Sequence, residues 1–195
     1  LSKSNGASPL IIGLGGTTRA GSTCERVLGK ALEAAARAGA RTRLFGGQFL
    51  AKLPIFDPAT CEACPELGEL LDGVRAADGV LIASPGYHGS ISGLVKNALD
   101  SLEQLRGDPR PYFDGRAVGC LVTADGWQAG GTTLSALRTI VHALRGWPTP
   151  LGVAFNPSAG ALFDDAGEFA QARDQAQIDM IAGQVVDFAR MAAAG

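Results

Sequence analysis

The sequence predicts an α/β fold: one domain spanning residues 1–195, built as a doubly wound parallel sheet with helices on both faces. Two observations predict it. Continuous apolar runs, typical of strands buried on both faces, alternate strictly with segments whose apolar residues recur at helical spacing. Five such strand-helix units require crossovers, and parallel strands joined by right-handed crossovers place helices on both sides of the sheet.

The strands read as Leu10 to Leu14, Val80 to Ala83, Ala117 to Val122 and Leu151 to Phe155, with Leu44-Phe45 after Thr42 as a weaker fifth. The first helix carries Val27, Leu28, Ala31, Leu32 and Ala35 on one stripe, and Pro65 opens a shorter helix reaching Ala77. A third stripe is Leu94, Val95, Ala98, Leu99 and Leu102. Leu134, Leu137, Val141 and Leu144 mark the fourth helix, and Ile178, Ile181, Val185 and Phe188 a long C-terminal one. Residues 1–8 read as a disordered or extended polar lead without the apolar core of a secretory signal.

Composition excludes several classes. Apolar residues make up 46% and charged residues 18%, which suits a packed core rather than a disordered chain. A net charge of −2 with no Lys/Arg run gives no footprint for nucleic acid. No apolar run approaches membrane-spanning length, and a cytoplasmic location is expected. Cys24, Cys61, Cys64 and Cys120 are expected as reduced thiols. Cys61-Glu-Ala-Cys64 reads as an incidental pair, a redox pair or half a zinc site, but with only His88 and His142 as histidines no four-ligand metal set forms.

In doubly wound sheets ligands bind beyond the carboxyl ends of the strands, where strand order reverses, so the loops after the first, third and fourth strands carry the argument. The first runs Gly13-Leu14-Gly15-Gly16-Thr17-Thr18-Arg19-Ala20-Gly21-Ser22-Thr23 and leads into a helix. Glycines let backbone N–H groups approach an anion, and the helix N-terminus adds unpaired donors. A nucleoside-triphosphate loop would need lysine after the second glycine, where Ser22 stands, and Thr18 fills the third glycine slot of a dinucleotide fingerprint. What remains is four hydroxyls, Thr17, Thr18, Ser22 and Thr23, and one guanidinium, Arg19, a set suited to a terminal phosphomonoester. The plainer reading is a helix N-cap at Ser22 or Thr23.

The second loop, Ser84-Pro85-Gly86-Tyr87-His88-Gly89-Ser90-Ile91-Ser92-Gly93, precedes Leu94-Val95-Lys96-Asn97-Ala98-Leu99-Asp100. This stretch resembles the Pro-x-Tyr-Asn-x-Ser-x-Pro-Gly-x-Leu-Lys-Asn-Ala-Leu-Asp segment of the NADPH-dependent FMN reductase family, and the first loop resembles that family's Gly-Ser-x-Arg-x-x-Ser. The resemblance spans roughly residues 9 to 190. It implies a flavodoxin-like three-layer sandwich whose five-stranded parallel sheet has the order 2-1-3-4-5. It also implies FMN as cofactor, NADPH or NADH as electron donor, and a homodimer or homotetramer.

By that resemblance Thr17, Arg19 and Ser22, with Thr23 beside them, hold the FMN phosphate, while Pro85, Gly86, Tyr87, His88, Gly89 and Ser90 shape the flavin site. Two positions depart from the pattern: His88 stands for the usual Asn, and Ser92 for a usual Pro. His88 is either a different hydrogen-bonding group near the ring or part of a turn. The third loop, Ala124 to Thr132, resembles the family's third flavin loop and brings Asp125, Gly126, Trp127, Gly130 and Gly131 to the site, the Gly130-Gly131 pair letting backbone N–H groups approach the flavin pyrimidine edge. Trp127 reads equally as a cover for the ring or substrate, a packing residue or a subunit contact. Lys96, Asn97 and Asp100 read as residues of a helix face.

The implied chemistry belongs to the cofactor: hydride passes from the nicotinamide nucleotide to the flavin and on to a small acceptor such as a quinone, azo compound, metal oxyanion or free flavin. No side-chain nucleophile is required, and none stands in a recognised catalytic motif. Two alternatives remain at this level: an FMN-dependent dehydrogenase of a small metabolite such as an aminodeoxychorismate-like acid, and a flavodoxin-type electron carrier, which the modest charge disfavours.

Overall fold

In the computed structural model, residues 8–59 and 64–194 are described. The expected lead, apart from Ser8, and Cys61 of the Cys61/Cys64 pair lie outside them. The elements are β1 (Leu10–Gly15), α1 (Thr23–Arg37), β2 (Arg41–Phe45), α2 (Gly47–Leu50), α3 (Pro65–Ala76), β3 (Gly79–Tyr87), β4 (Ser90–Ile91), α4 (Gly93–Ser101), β5 (Ala117–Thr123), α5 (Trp127–Ala143), β6 (Trp147–Pro148), β7 (Val153–Phe155) and α6 (Ala172–Ala194).

The sheet runs β2-β1-β3-β5-β6, with β7 also paired to β5, and these pairings are all parallel. The first four positions follow the expected order. The fifth is shared by two short strands rather than one: β6 pairs with the start of β5 and β7 with its end. Between them the chain leaves the ladder, with Leu151 N–H donating to the Gln184 carboxamide at 3.2 Å and the Thr149 hydroxyl to the Leu151 carbonyl at 2.7 Å. Pro148 and Pro150 lack the N–H a continuous ladder would use.

Each buried strand serves two cores because successive side chains point to opposite faces. Ile11, Leu81 and Leu121 meet Val27, Leu28 and Ala31 of α1 and Ile178, Ile181 and Val185 of α6. Their neighbours Ile12, Val80, Ile82, Cys120 and Val122 meet Leu70 and Val74 of α3, Val95 and Leu99 of α4, and Leu137 and Val141 of α5. The predicted stripes are therefore core stripes. At the helix ends the periodicity overshoots, for Leu102 belongs to a following 3-10 turn and Leu144 caps α5.

The end of the sheet opposite the strand-end loops is held by a buried cation. Arg116 is wholly buried just before β5 and donates to the carbonyls of Ala77 (2.8 Å), Arg75 (3.1 Å), Tyr112 (3.1 Å) and Asp114 (3.3 Å). Two of these lie at the C-terminus of α3, where carbonyls lack intrahelical partners and the helix dipole favours positive charge. Burial, and then the neighbouring Arg110, lower its pKa to about 10, so it stays charged at neutral pH. Arg116→Met removes those donors while keeping an apolar stem, and should lower the free energy of unfolding in urea by about 3 kcal/mol.

Cys24 in α1 and Cys120 in β5 are buried thiols, and burial pushes both up to about 12. A raised thiol pKa keeps the unreactive protonated form, so at pH 8 almost no thiolate is present at either residue. Titration of the native protein with an aromatic disulfide reagent should therefore count at most two thiols, Cys61 and Cys64, and four after denaturation. A third fast-reacting thiol in the native protein would contradict this packing.

Candidate functional site

Residues at the carboxyl ends of β1, β3 and β5 converge because these strands are neighbours, in register from Gly15 opposite Ala83 to Pro85 opposite Thr123. The reversal of strand order lies between β1 and β3, since β2 follows on one side of β1 and β3 on the other.

The first loop is shaped by contact at its base. Gly15 has φ 140°, and a Cβ there would sit 1.9 Å from the Ala83 carbonyl oxygen. Gly16 N–H donates to that same carbonyl at 3.2 Å. On the other side a Cβ on Gly47 would sit 1.9 Å from the Thr17 carbonyl oxygen, so α2 presses directly on the loop. Only glycine meets both approaches.

Above this base the loop is compact. The Thr17 hydroxyl accepts from Arg19 N–H (3.3 Å) and lies 3.2 Å from the Arg19 carbonyl, while Ser22 N–H donates to the Arg19 carbonyl at 3.3 Å. Ser22 is the N-cap of α1, its buried hydroxyl accepting from Glu25 N–H at 3.3 Å. The Glu25 carboxylate accepts in turn from Gly21 N–H at 2.9 Å. Glu25 was not among the expected site residues, although Ser-x-x-Glu before an apolar stripe is a legible capping signal. Thr23 begins the helix half-buried, and the Arg19 side chain is exposed with no ion pair among the described residues.

The second region is not an open loop. β3 continues through Pro85, Gly86 and Tyr87, turns at His88 and Gly89, and returns as β4, with Tyr87 opposite Ser90. Both turn residues have positive φ, 53° at His88 and 82° at Gly89, as a two-residue type I′ hairpin requires. Histidine, like asparagine, tolerates this left-handed region better than most residues, which accounts for the His88 departure in backbone terms. Ser92 is likewise explained: it caps α4, its hydroxyl accepting from Val95 N–H at 3.2 Å, while its own N–H donates to the Ser84 hydroxyl at 3.0 Å.

The third region is mostly helix. α5 begins at Trp127, with Gly126 at φ 106° as its N-cap, so the loop is only Ala124 to Gly126. Gly130 lies within the helix, its N–H donating to the Gly126 carbonyl at 3.0 Å and its Cα facing Ala154. That N–H is already engaged. Trp127 is 63% exposed at the helix start. Asp125 accepts from the Ser158 hydroxyl at 2.8 Å. The hairpin and α5 touch through Gly86, where a Cβ would lie 2.8 Å from both Ala124 Cβ and Thr133 Oγ1, and Thr133 lies 3.4 Å from the Ser90 carbonyl oxygen.

Lys96 and Asp100 form an exposed pair at 2.7 Å, as a helix face would. Asn97 does more: it donates to the Pro54 carbonyl (2.9 Å) and accepts from Phe56 N–H (2.8 Å), tethering the chain after α2 to α4. A single asparagine on a helix face gave no signal of this partner.

At Gly21, Gly126 and Gly131 an added Cβ would meet nothing within 4 Å. Bare backbone with open space above it, beside an exposed guanidinium and several hydroxyls, fits a flat ligand carrying a phosphate.

The chain is 32% identical over 132 residues to the FMN-dependent NADPH-azoreductase of Staphylococcus aureus, covering 67% of this chain and 66% of that protein, just under two thirds of its length. Among solved structures it is similar to an NADH:FMN oxidoreductase (EMOB; TM-score 0.67, 21% identity, 90% of this chain and 89% of that one). It also matches a WrbA-like flavodoxin from Agrobacterium tumefaciens (TM-score 0.62, 16% identity, 94% and 99%). These structural likenesses establish the flavodoxin-like fold. The family model for NADPH-dependent FMN reductase matches residues 9–160, and the chain belongs to that family.

Proposed function

We propose that the protein is an FMN-dependent reductase that draws electrons from NADPH or NADH and delivers them to a small organic acceptor, with azo compounds the first class to try. The observation that carries this reading is the convergence, beside one strand-order switch, of a glycine-based loop at a helix N-terminus with the β3–β4 hairpin and the start of α5. Family membership supports it, and the name of the Staphylococcus aureus relative supports the acceptor class.

In this reading Arg19 binds the phosphate through paired guanidinium N–H groups, and the hydroxyls of Thr17, Ser22 and Thr23 add donors around it. Ser22 can donate its proton while still accepting from Glu25, so capping and phosphate binding are compatible. Pro85, Gly86, Tyr87, His88, Gly89 and Ser90 form one wall of the ring site. Asp125, Gly126, Trp127 and Gly131 form the other. Bound FMN would supply the redox chemistry, accepting hydride from the nicotinamide nucleotide and reducing the acceptor in a second half-reaction. The chain itself orients the ring, supplies donors and limits access. Assembly as a homodimer or homotetramer belongs to the same proposal.

Anaerobic titration of FMN-loaded protein with NADPH and then NADH, following the oxidised flavin band, tests the donor half-reaction. Bleaching is expected; a bound flavin that neither nucleotide bleaches would overturn the reading. Arg19→Ala should weaken FMN binding by about 1.5 to 3 kcal/mol, the range for a hydrogen bond to a charged group. Unchanged affinity in the folded variant, by flavin fluorescence titration, would remove Arg19 from the phosphate site.

A further inference from the structure

Next to the third strand-end loop the structure holds an open cleft of about 600 Å³, the size range of small-molecule sites. Trp127, Asn156, Gln171, Arg173, Asp174 and Gln177 contribute its distinctive chemistry. The cleft adjoins the region assigned to the flavin in two ways. Trp127 belongs to both, and the Asp125–Ser158 bond ties the third loop to the turn that leads into the cleft wall. That wall, the segment between β7 and α6, is anchored on α1. Arg26 lies 4.0 Å over the Phe163 ring, Lys30 pairs with Glu168 at 2.6 Å, and Phe169 stacks against both Phe163 and Phe155.

The polar groups are of mixed kind. The Asp174 side chain is only 10% exposed, and its ion partner Arg173, 3.6 Å away, is 77% exposed. The carboxylate thus lies inside and the guanidinium at the rim, and together they are neutral. Gln171 and Gln177 each offer a donor and an acceptor, and Asn156, whose carboxamide oxygen accepts from Ser158 N–H at 3.1 Å, offers its amino group as donor. A compact anion would meet the Asp174 carboxylate, and no group of three metal-binding side chains occurs among the described residues. A flat indole beside alternating donors and acceptors fits a neutral planar heterocycle. A purine suits it: its ring faces Trp127, its exocyclic amino group donates to Asp174, its ring nitrogens accept from carboxamides, and attached phosphates reach Arg173 at the rim.

We infer that this cleft seats the adenine end of the nicotinamide nucleotide, so that the donor spans from the flavin loops across Trp127 into the cleft; the inference rests on the reductase reading above. The probe is AMP, titrated calorimetrically into the FMN-loaded wild type, Gln177→Ala and Asp174→Asn. AMP should bind the wild type with one site per chain and bind each variant about tenfold more weakly, the loss expected for one strong hydrogen bond. The variants should show a similar loss of apparent affinity for NADPH in flavin reduction. Reduced nicotinamide mononucleotide, which lacks adenine, should bleach variants and wild type at equal rates.

No AMP binding to the wild type, equal AMP affinity in a folded variant, or equal impairment of both donors would overturn the inference. Asp174 is buried, so if Asp174→Asn fails to fold, Gln177→Ala at its half-buried position decides the matter. Failure of the reductase reading is separable. A wild type that binds AMP through these residues but is bleached by no nicotinamide donor keeps a purine site and loses the reductase assignment.

Discussion

Where β1 ends, the backbone of Gly15 runs so close to the carbonyl of Ala83 that no side chain can stand between them. That contact fixes where the first loop starts relative to β3, and the Gly47 contact on Thr17 fixes its other flank. With both flanks set by backbone meeting backbone, and the N–H groups of Gly16, Arg19, Gly21 and Ser22 engaged within the protein, the loop that carries the hydroxyls and the Arg19 guanidinium rests on a fixed base. A site meant to receive a charged group gains from this, because donors already in position need no reorganisation when the charge arrives.

Much of the architecture was legible from the chain because it depends on pattern. The runs through Ile11-Ile12, Leu81-Ile82 and Leu121-Val122 read as two-faced strands and are so, and the stripes of α1 and α6 meet the core they promised. The edge was harder. Leu151 to Phe155 looks continuous in sequence, yet two prolines and the Gln184 side chain divert the segment before Val153. Local apolar content does not report whether a ladder partner is within reach.

The site was legible in its residue types and less so in its backbone. Pro85 to Tyr87 read as loop because proline and glycine usually end strands, but here β5 pairs alongside as far as Pro85 and β4 folds back to pair with Gly86 and Tyr87. Trp127 to Thr132 read as loop for the same reason, since the glycine pair hid a helix start whose core contacts come from Thr133 and Leu137. Glu25 and Asn97 act through partners four and more than forty residues away, and only the first of these spacings leaves a trace in the sequence.

The broken outer edge bears on how copies of this chain can meet. Beyond β5 the sheet offers only a two-residue and a three-residue segment, with prolines at 148 and 150 interrupting the row of donors. At the opposite edge β2 is short and carries Arg41 and Arg43, the latter paired with Glu69 and lying over Phe45. Neither border presents the long, flat, unpaired strand on which a neighbouring sheet could continue. Pairing of two such sheets edge to edge is thereby disfavoured.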